Sequence, residues 1–483
     1  MKIDGFVDTE KKYDLYNIEV NGVKPWPYFR VGFWNYEICS QILSNNIQSI
    51  GKREHYRKQI KSLFFLLKRR NKRKLCKAEI LFFAHERRVQ TGKKYECIYT
   101  NGLVEKYRDS VVLERPYRDT HLTPTTNDNV FYIDFLQWKA TMHYRLHYHI
   151  KTSKYKKIYS EIQEHFSKPI EELRNIYKFT ISCDNICRKL TRAVIEVSMI
   201  KRELGQALTV VQPKIIVDVV YYSRECMILN ELAKERGIPT IELQHGTMHS
   251  AHAAYQFPDG CGEIKQFPDY VFVFSEYWKK CAHLPIPDDH IKVTGYPYFE
   301  RQLNYYKSTC NQEDRVNIIF VSQGTIGKEL SKLAADLCDL IDGNSYHIIY
   351  KLHPGEYAAW RERVPWLVKN NIEVVDSLEH NIYEYFAKSS IQVGVYSTAI
   401  YEGLGFGLKT YIYNIGHADT MAALCEQGYA SYVSNAQELF ENIYGTNPNT
   451  VQDGKEFWKM NSFENICHEI DQLLACRRKE DRS

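Results

Sequence analysis

Short apolar runs alternate with helical ones along most of the chain. "KAEILFFAH" (77–85) and "NVFYIDFL" (129–136) read as strands, and a mostly helical span follows from Trp138 to Leu208. "KIIVDVVYYS" (214–223), "IPTIELQHG" (238–246), "DYVFVFS" (269–275) and "HIKVTGYP" (290–297) are further strands, with "RECMILNELAKERG" a helix closed by Gly237. The polar stretch "LNYYKSTCNQEDR" (303–315) predicts a linker, after which the alternation restarts. "VNIIFVSQG" (316–324), "YHIIYKLHP" (346–354), "IEVVD" (372–376), "IQVGVYS" (391–397) and "KTYIYN" (409–414) continue it, and Glu456 to Cys476 is again helical. Runs that stay apolar at successive positions belong to parallel strands covered on both faces. The pattern predicts an α/β protein of two doubly wound domains facing a cleft, at 1–302 and 316–450, with a helical insertion at 138–208. A helix within 455–483 is expected to pack back on the first domain.

Length supports the division, because 483 residues exceed one ordinary core. Hydrophobic residues at 44% and charged residues at 25% give the profile of a soluble globular protein. No run of eighteen apolar residues occurs and Met1–Val7 shows no signal-peptide pattern, so a cytoplasmic location is expected. The thirteen cysteines have no framework spacing, and Cys183 and Cys187 form only a CxxxC pair, so reduced thiols are expected. Charge is unevenly spread. Between Lys52 and Lys77 stand twelve Lys or Arg and one acid, Glu54, a balance of +11; against +5 for the whole chain, the rest carries −6. These basic residues enclose the apolar run Leu63–Leu67, which suits an anionic membrane face as well as a solvated helix packed on its own domain. Nucleic acid is not expected, because no second basic region with stacking aromatics accompanies it.

Polar clusters stand where strands end, the place at which such sheets bind ligands. His353 follows "YHIIYKL" directly, and Pro354 suits the first turn of a helix over "GEYAAWRERV", whose free N–H groups would hold an anion. At that mouth a histidine can donate to a phosphate oxygen or carry a proton. Ser397 or Thr398 can cap the next helix, with Glu402 one turn inside it as an acceptor for ribose hydroxyls. "SQGT" places Gln323 and Gly324 at a third strand-to-helix turn, Gly324 allowing close approach. In the first half, "ELQHGTMHSAH" ends a strand at Gln244–Gly246, and His245 is a candidate base. His249 and His252 follow it, but Gly246 interrupts the helix that zinc ligation by HxxxH needs, so no metal is expected. Asp218 is a further catalytic candidate, and Glu86, Arg87 and Arg88 are candidate contacts for an anionic acceptor.

The order "ELQHG", "KLHP" and "YSTAIYEGLGFG" resembles the two-Rossmann-domain (GT-B) transferases of bacterial capsule and surface polysaccharides. Kdo transferases, bacterial sialyltransferases and CDP-glycerol glycerophosphotransferases are similar by motif. The resemblance covers roughly residues 210 to 440. It implies that His353–Pro354 and Ser397–Thr398 grip the donor phosphate, that Glu402 helps hold the nucleoside, and that His245 takes the acceptor proton. "EGLGFGLKT" departs from the family pattern, with Leu408–Lys409 where Lys-Pro is common.

The implied activity is metal-independent glycosyl transfer from a nucleotide-sugar, CMP- or other, to a glycan or lipid-linked glycan, with domain closure excluding water. No cofactor is expected beyond that co-substrate. Alternatives are a CDP-glycerol- or ribitol-type polyol-phosphate transferase, a sugar-nucleotide 2-epimerase, and a non-catalytic scaffold of glycan assembly. Peripheral attachment to the inner face of the plasma membrane through 52–77 is a further expectation.

Overall fold

The computed structural model describes residues 2–39, 75–86, 88–116, 120–309, 315–377, 380–416, 418–445 and 454–480. Nearly all of the basic segment 52–77, and Arg87, lie outside the described residues.

The first half builds β1 (Ile80–Phe83), β2 (Val89–Thr91), β3 (Lys94–Glu96), β4 (Ser110–Glu114), β5 (Val130–Tyr132), β6 (Ile215–Val219), β7 (Thr240–Leu243), β8 (Tyr270–Val273) and β9 (Ile291–Val293). All but β2 and β3 join one parallel sheet of order β5-β4-β1-β6-β7-β8-β9. The second half builds β10 (Val316–Val321), β11 (Tyr346–Lys351), β12 (Ile372–Val375), β13 (Ile391–Gly394), β14 (Lys409–Tyr413) and β15 (Ala430–Val433). Its sheet is also parallel, in the order β12-β11-β10-β13-β14-β15. Counted within itself, the second sheet has the 3-2-1-4-5-6 order of a Rossmann fold, and the first sheet has that order plus one strand. The fold is therefore α/β with two Rossmann-like domains.

Several elements differ from the sequence expectation. Only Val130–Tyr132 of 129–136 is strand, because Asp134 already opens a helix. Strands β4 and β15 and the β2–β3 hairpin are additions; β4 hides between charged flanks, and β15 is only four residues long. Half of the expected linker is helix, Pro297–Thr309.

The crossover from β5 to β6 holds three helices, Asp134–His149, Ser153–Tyr177 and Cys183–Val211. Ile158, Ile162, Phe166 and Ile170 recur along the buried face of the second, and Ile186, Leu190, Val194, Leu204 and Leu208 along that of the third. Thr152 and Ser182 cap their starts, accepting from Tyr155 N at 3.1 Å and Asn185 N at 3.3 Å.

An aromatic seam ties the two domains together. Trp458 stacks on Phe299 at 4.1 Å between ring centroids and lies 5.3 Å from Phe274, while Trp278 packs on Tyr401 at 4.6 Å. The indoles are satisfied: Trp458 donates to Tyr401 O (3.1 Å) and Trp278 to Phe457 O (3.0 Å). Past the seam, the helix Ser462–Glu480 returns to the first sheet. There Ile466, Ile470 and Leu474 pack in one cluster with Ile80, Phe82 and Ile215.

Candidate functional site

Each sheet reverses its strand order beside its first strand, between β1 and β6 and between β10 and β13. Loops beyond the carboxyl ends diverge at such a point and leave a crevice. Residues of both domains line one cleft of about 1370 Å³, among them His245, Gln323, His353, Pro354, Ser397 and Glu402.

On the first-domain wall, His245 stands two residues past the end of β7. Its main-chain carbonyl accepts from Tyr99 Oη at 2.9 Å, and its Nε2 lies 3.1 Å from Tyr222 Oη. Burial, helped by His85, His252 and Arg115, holds its pKa well below the ordinary 6.5. The ring is thus neutral at pH 7 and able to accept a proton. A Cβ on Gly246 would lie 3.7 Å from Thr398 Oγ1. The His-Gly turn of one domain therefore faces the Ser-Thr turn of the other across the cleft.

His249 and His252 sit on the loop beyond. Their Nδ1 atoms accept from Ala251 N (3.2 Å) and Ala254 N (3.3 Å), and burial pushes their pKa values down to about 4 and about 3. Among the described residues no group of three or more His, Cys, Asp or Glu is arranged to hold a metal ion. The loop is pinned from the N-terminal segment, where Arg30 pairs with Glu10 at 2.6 Å and donates to Ala253 O and Gln256 O, and Trp34 donates to Ala251 O.

On the second-domain wall the His353 turn departs from expectation. No helix begins at Pro354: residues 354–359 form turns, and only Trp360–Arg363 is helical. Local bonds close the turn. Glu356 Oε2 accepts from His353 N at 2.8 Å, and His353 Nδ1 accepts from Gly355 N at 3.1 Å. In the neutral ring that bond places the proton on Nε2. The helices that start at the cleft are Gly327–Cys338, after β10, and Thr398–Phe406, after β13. Ser397 caps the latter, its Oγ accepting from Ala399 N at 3.2 Å. Gly407, at φ +90°, closes the same helix in the left-handed region that glycine tolerates.

Glu402 lies one turn into that helix, half-buried beside Tyr383. Burial pushes its carboxyl up to about 7, against the lowering effect of the Tyr383 hydroxyl. Lys351, the last residue of β11, also lines the cleft. Its Nζ donates to Tyr357 Oη (2.8 Å) and Ser377 O (3.1 Å), and burial lowers its pKa to about 8. Glu402 and Lys351 thus both titrate near neutrality, the condition in which a cleft can exchange protons or sense charge.

Other predicted residues fall elsewhere. Asp218 is fully buried on β6, bonded to Asn230 Nδ2 at 3.2 Å and paired in register with Glu242, away from the cleft wall. Glu86 pairs with Arg115 at 3.0 Å. Arg88 reaches the cleft wall, but its guanidinium is spent on Glu114, Nε to Oε2 at 2.6 Å. Gly324 is exposed, and a Cβ there would meet nothing within 4 Å, so the protein itself imposes no close approach. Sequence reasoning passed over Lys351, Glu242, Tyr222 and Tyr383. Lys351 and Glu242 carried a signal, each a charge inside an otherwise apolar strand.

No protein family and no curated protein matches the sequence. Solved structures do match at the level of shape. UDP-GlcNAc 2-epimerase from Methanocaldococcus jannaschii is 11% identical and superposes with a TM-score of 0.49 over 82% of this chain and 99% of that one. The enzyme of the same name from Neisseria meningitidis, bound to UDP-GlcNAc, gives 14%, 0.42, 58% and 81%. The wall teichoic acid polymerase TagF gives 13%, 0.43, 90% and 100%. The architecture assigned to this chain rests on its own strand orders.

Proposed function

We propose that the chain is a glycosyltransferase that uses a nucleotide-activated sugar to extend a bacterial surface polysaccharide. The observation that carries this reading is the meeting of a buried, neutral His245 with the Ser397–Thr398 helix start across a cleft between two Rossmann-like domains. The acceptor hydroxyl attacks the anomeric carbon of the donor, and the bond from that carbon to the phosphate oxygen breaks. The electron pair leaves with the nucleotide, and the hydroxyl proton passes to the His245 imidazole. Charge developing on the departing phosphate is met by the backbone N–H groups behind Ser397, by the His353 Nε2–H and by Lys351. Glu402 accepts from the ribose hydroxyls. These donors do the work a metal does elsewhere, so turnover is expected to survive EDTA.

The test is a thermal-shift screen against CMP, CDP, UDP and GDP, followed by incubation of the stabilising nucleotide's sugar with and without glycan acceptor. A nucleotide that binds only the native state raises Tm by mass action. Product formed only with acceptor supports the transferase. Conversion of UDP-GlcNAc alone identifies an epimerase, and no stabilisation by any nucleotide leaves only a scaffold. Stabilisation by CDP, with transfer of a polyol phosphate, assigns attack at phosphorus instead of carbon. That second reading draws on the resemblance of the His245–Gly246 pair to the glycerophosphotransferases.

A further inference from the structure

We propose that the outer face of the helix Asp134–His149, with the lysines that follow it, docks on an anionic lipid bilayer. The helix turns Leu136 and Ala140 into the core. On its other side Phe135, Trp138, Met142 and Leu146, with Ile150 just past the end, are 40, 49, 44, 59 and 65% exposed. Steps of three and four residues set them in a single stripe. Thirteen large hydrophobics are exposed among the described residues, and five of them stand here while the other eight are far apart in the sequence. A contiguous apolar stripe of this kind marks a docking surface, whereas single exposed residues do not.

Charge selects the occupant. From Phe135 to Lys157 the chain carries six cations, Lys139, Arg145, Lys151, Lys154, Lys156 and Lys157, and no acid. Two acids lie against this face, Glu203 holding Lys139 at 2.9 Å and Glu161 lying 3.8 Å from Lys157, which leaves the balance of the segment positive. A second copy of the same basic face would be repelled. An anionic bilayer suits both halves of the pattern, taking the Trp and aliphatic side chains at headgroup depth and the lysines against its phosphates. The helix leaves the sheet at the carboxyl end of β5, so the stripe begins at the end of the sheet on which the cleft opens. The stripe includes none of residues 52–77, and its occupancy does not depend on which reaction the cleft performs.

Flotation of the full chain with vesicles tests it. Phosphatidylcholine vesicles containing roughly one-third phosphatidylglycerol are expected to carry the protein at low salt, and pure phosphatidylcholine vesicles to carry little. Trp138→Asp with Leu146→Asp should weaken binding at least about tenfold. Lys154→Ala, Lys156→Ala and Lys157→Ala together should weaken it on the order of a hundredfold, at roughly tenfold or less per charge. Circular dichroism and Tm should match the parent, since all five side chains are exposed. Failure of the parent to float overturns the proposal. So does unchanged flotation of the stripe variant, which would place binding elsewhere, or a dimer in sedimentation that the stripe variant abolishes.

Discussion

Glu242 Oε1 lies 3.8 Å from His245 Nδ1, and that nitrogen is buried without a hydrogen bond among the described residues. Glu242 is itself fully buried, accepting from Tyr255 Oη (3.0 Å) and Tyr221 N (3.2 Å), and burial beside Asp218 raises its pKa well above the ordinary value. The buried acid therefore stands beside the imidazole. Replacing His245 by Asn should cut turnover by roughly 10²- to 10⁴-fold while nucleotide affinity changes little. Equal loss of both, measured by kinetics and calorimetry on the same variant, would place His245 in binding and not in proton transfer.

His353 should behave differently. With Nδ1 accepting from Gly355 N, the ring proton stands on Nε2, which suits the proposed role of a donor. His353→Ala is expected to lower turnover roughly 10²- to 10³-fold, as for loss of one oxyanion-type donor. Turnover equal to the parent in a steady-state assay refutes the role.

Nucleotide affinity should peak between pH 7 and 8. In the proposed role Glu402, pushed up to about 7, accepts from the ribose most strongly when ionised, so affinity weakens below that value. Lys351, lowered to about 8, must be charged to meet phosphate, so affinity weakens above it. Glu402→Gln should flatten the acid limb and Lys351→Met the alkaline one, read by calorimetry across pH. The stability sign also follows. A carboxyl whose folded pKa is raised loses stability as pH climbs from about 4.5 to about 7. Glu402→Gln should therefore raise Tm at pH 8 and leave it unchanged at pH 4.

The histidines of the 249–252 loop act in the opposite sense. Their folded pKa values, about 4 and about 3, lie below the ordinary 6.5, so the unfolded chain takes up protons first as pH falls. Stability from these groups is complete above 6.5 and drains away as pH falls to about 3. Scanning calorimetry should show Tm falling across that window, and less steeply in His252→Asn.

The pair Glu10–Arg30 predicts a larger structural effect. Both side chains are buried and Arg30 also sits 4.5 Å from the Phe257 ring. Glu10→Gln leaves a buried guanidinium without its counter-charge, costing roughly 3–5 kcal/mol. Denaturant unfolding measures this, and a cost below about 1 kcal/mol would show the pair to be solvated.

The parallel strands were legible because Ile, Val and Phe fill successive positions in β1, β6 and β10, as burial on both faces demands. Strand β4 was not, since "SVVLE" ends in a glutamate whose partners, Arg88 and His121, come from elsewhere in the chain. At the site, His245, His353, Ser397 and Glu402 could be found from their places after strands. The false helix at Pro354 shows the limit. Proline at a first turn permits a helix, and the His353–Glu356 and Gly355–His353 bonds close a first turn, but the chain stays in turns until Trp360. Tyr222 and Tyr383 escaped because a tyrosine in an apolar run carries no mark of which way its hydroxyl points.

The return of the last helix to the first sheet bears on how the molecule is made. Arg478 grips Glu79 across 399 positions of sequence, and Tyr107 donates to Asp471 at 2.9 Å. While the ribosome is still reading the second domain, the first has a bare apolar face over Ile80, Phe82 and Ile215. A nascent chain in that condition is sticky, and loses the hazard only after residue 480 has cleared the exit tunnel.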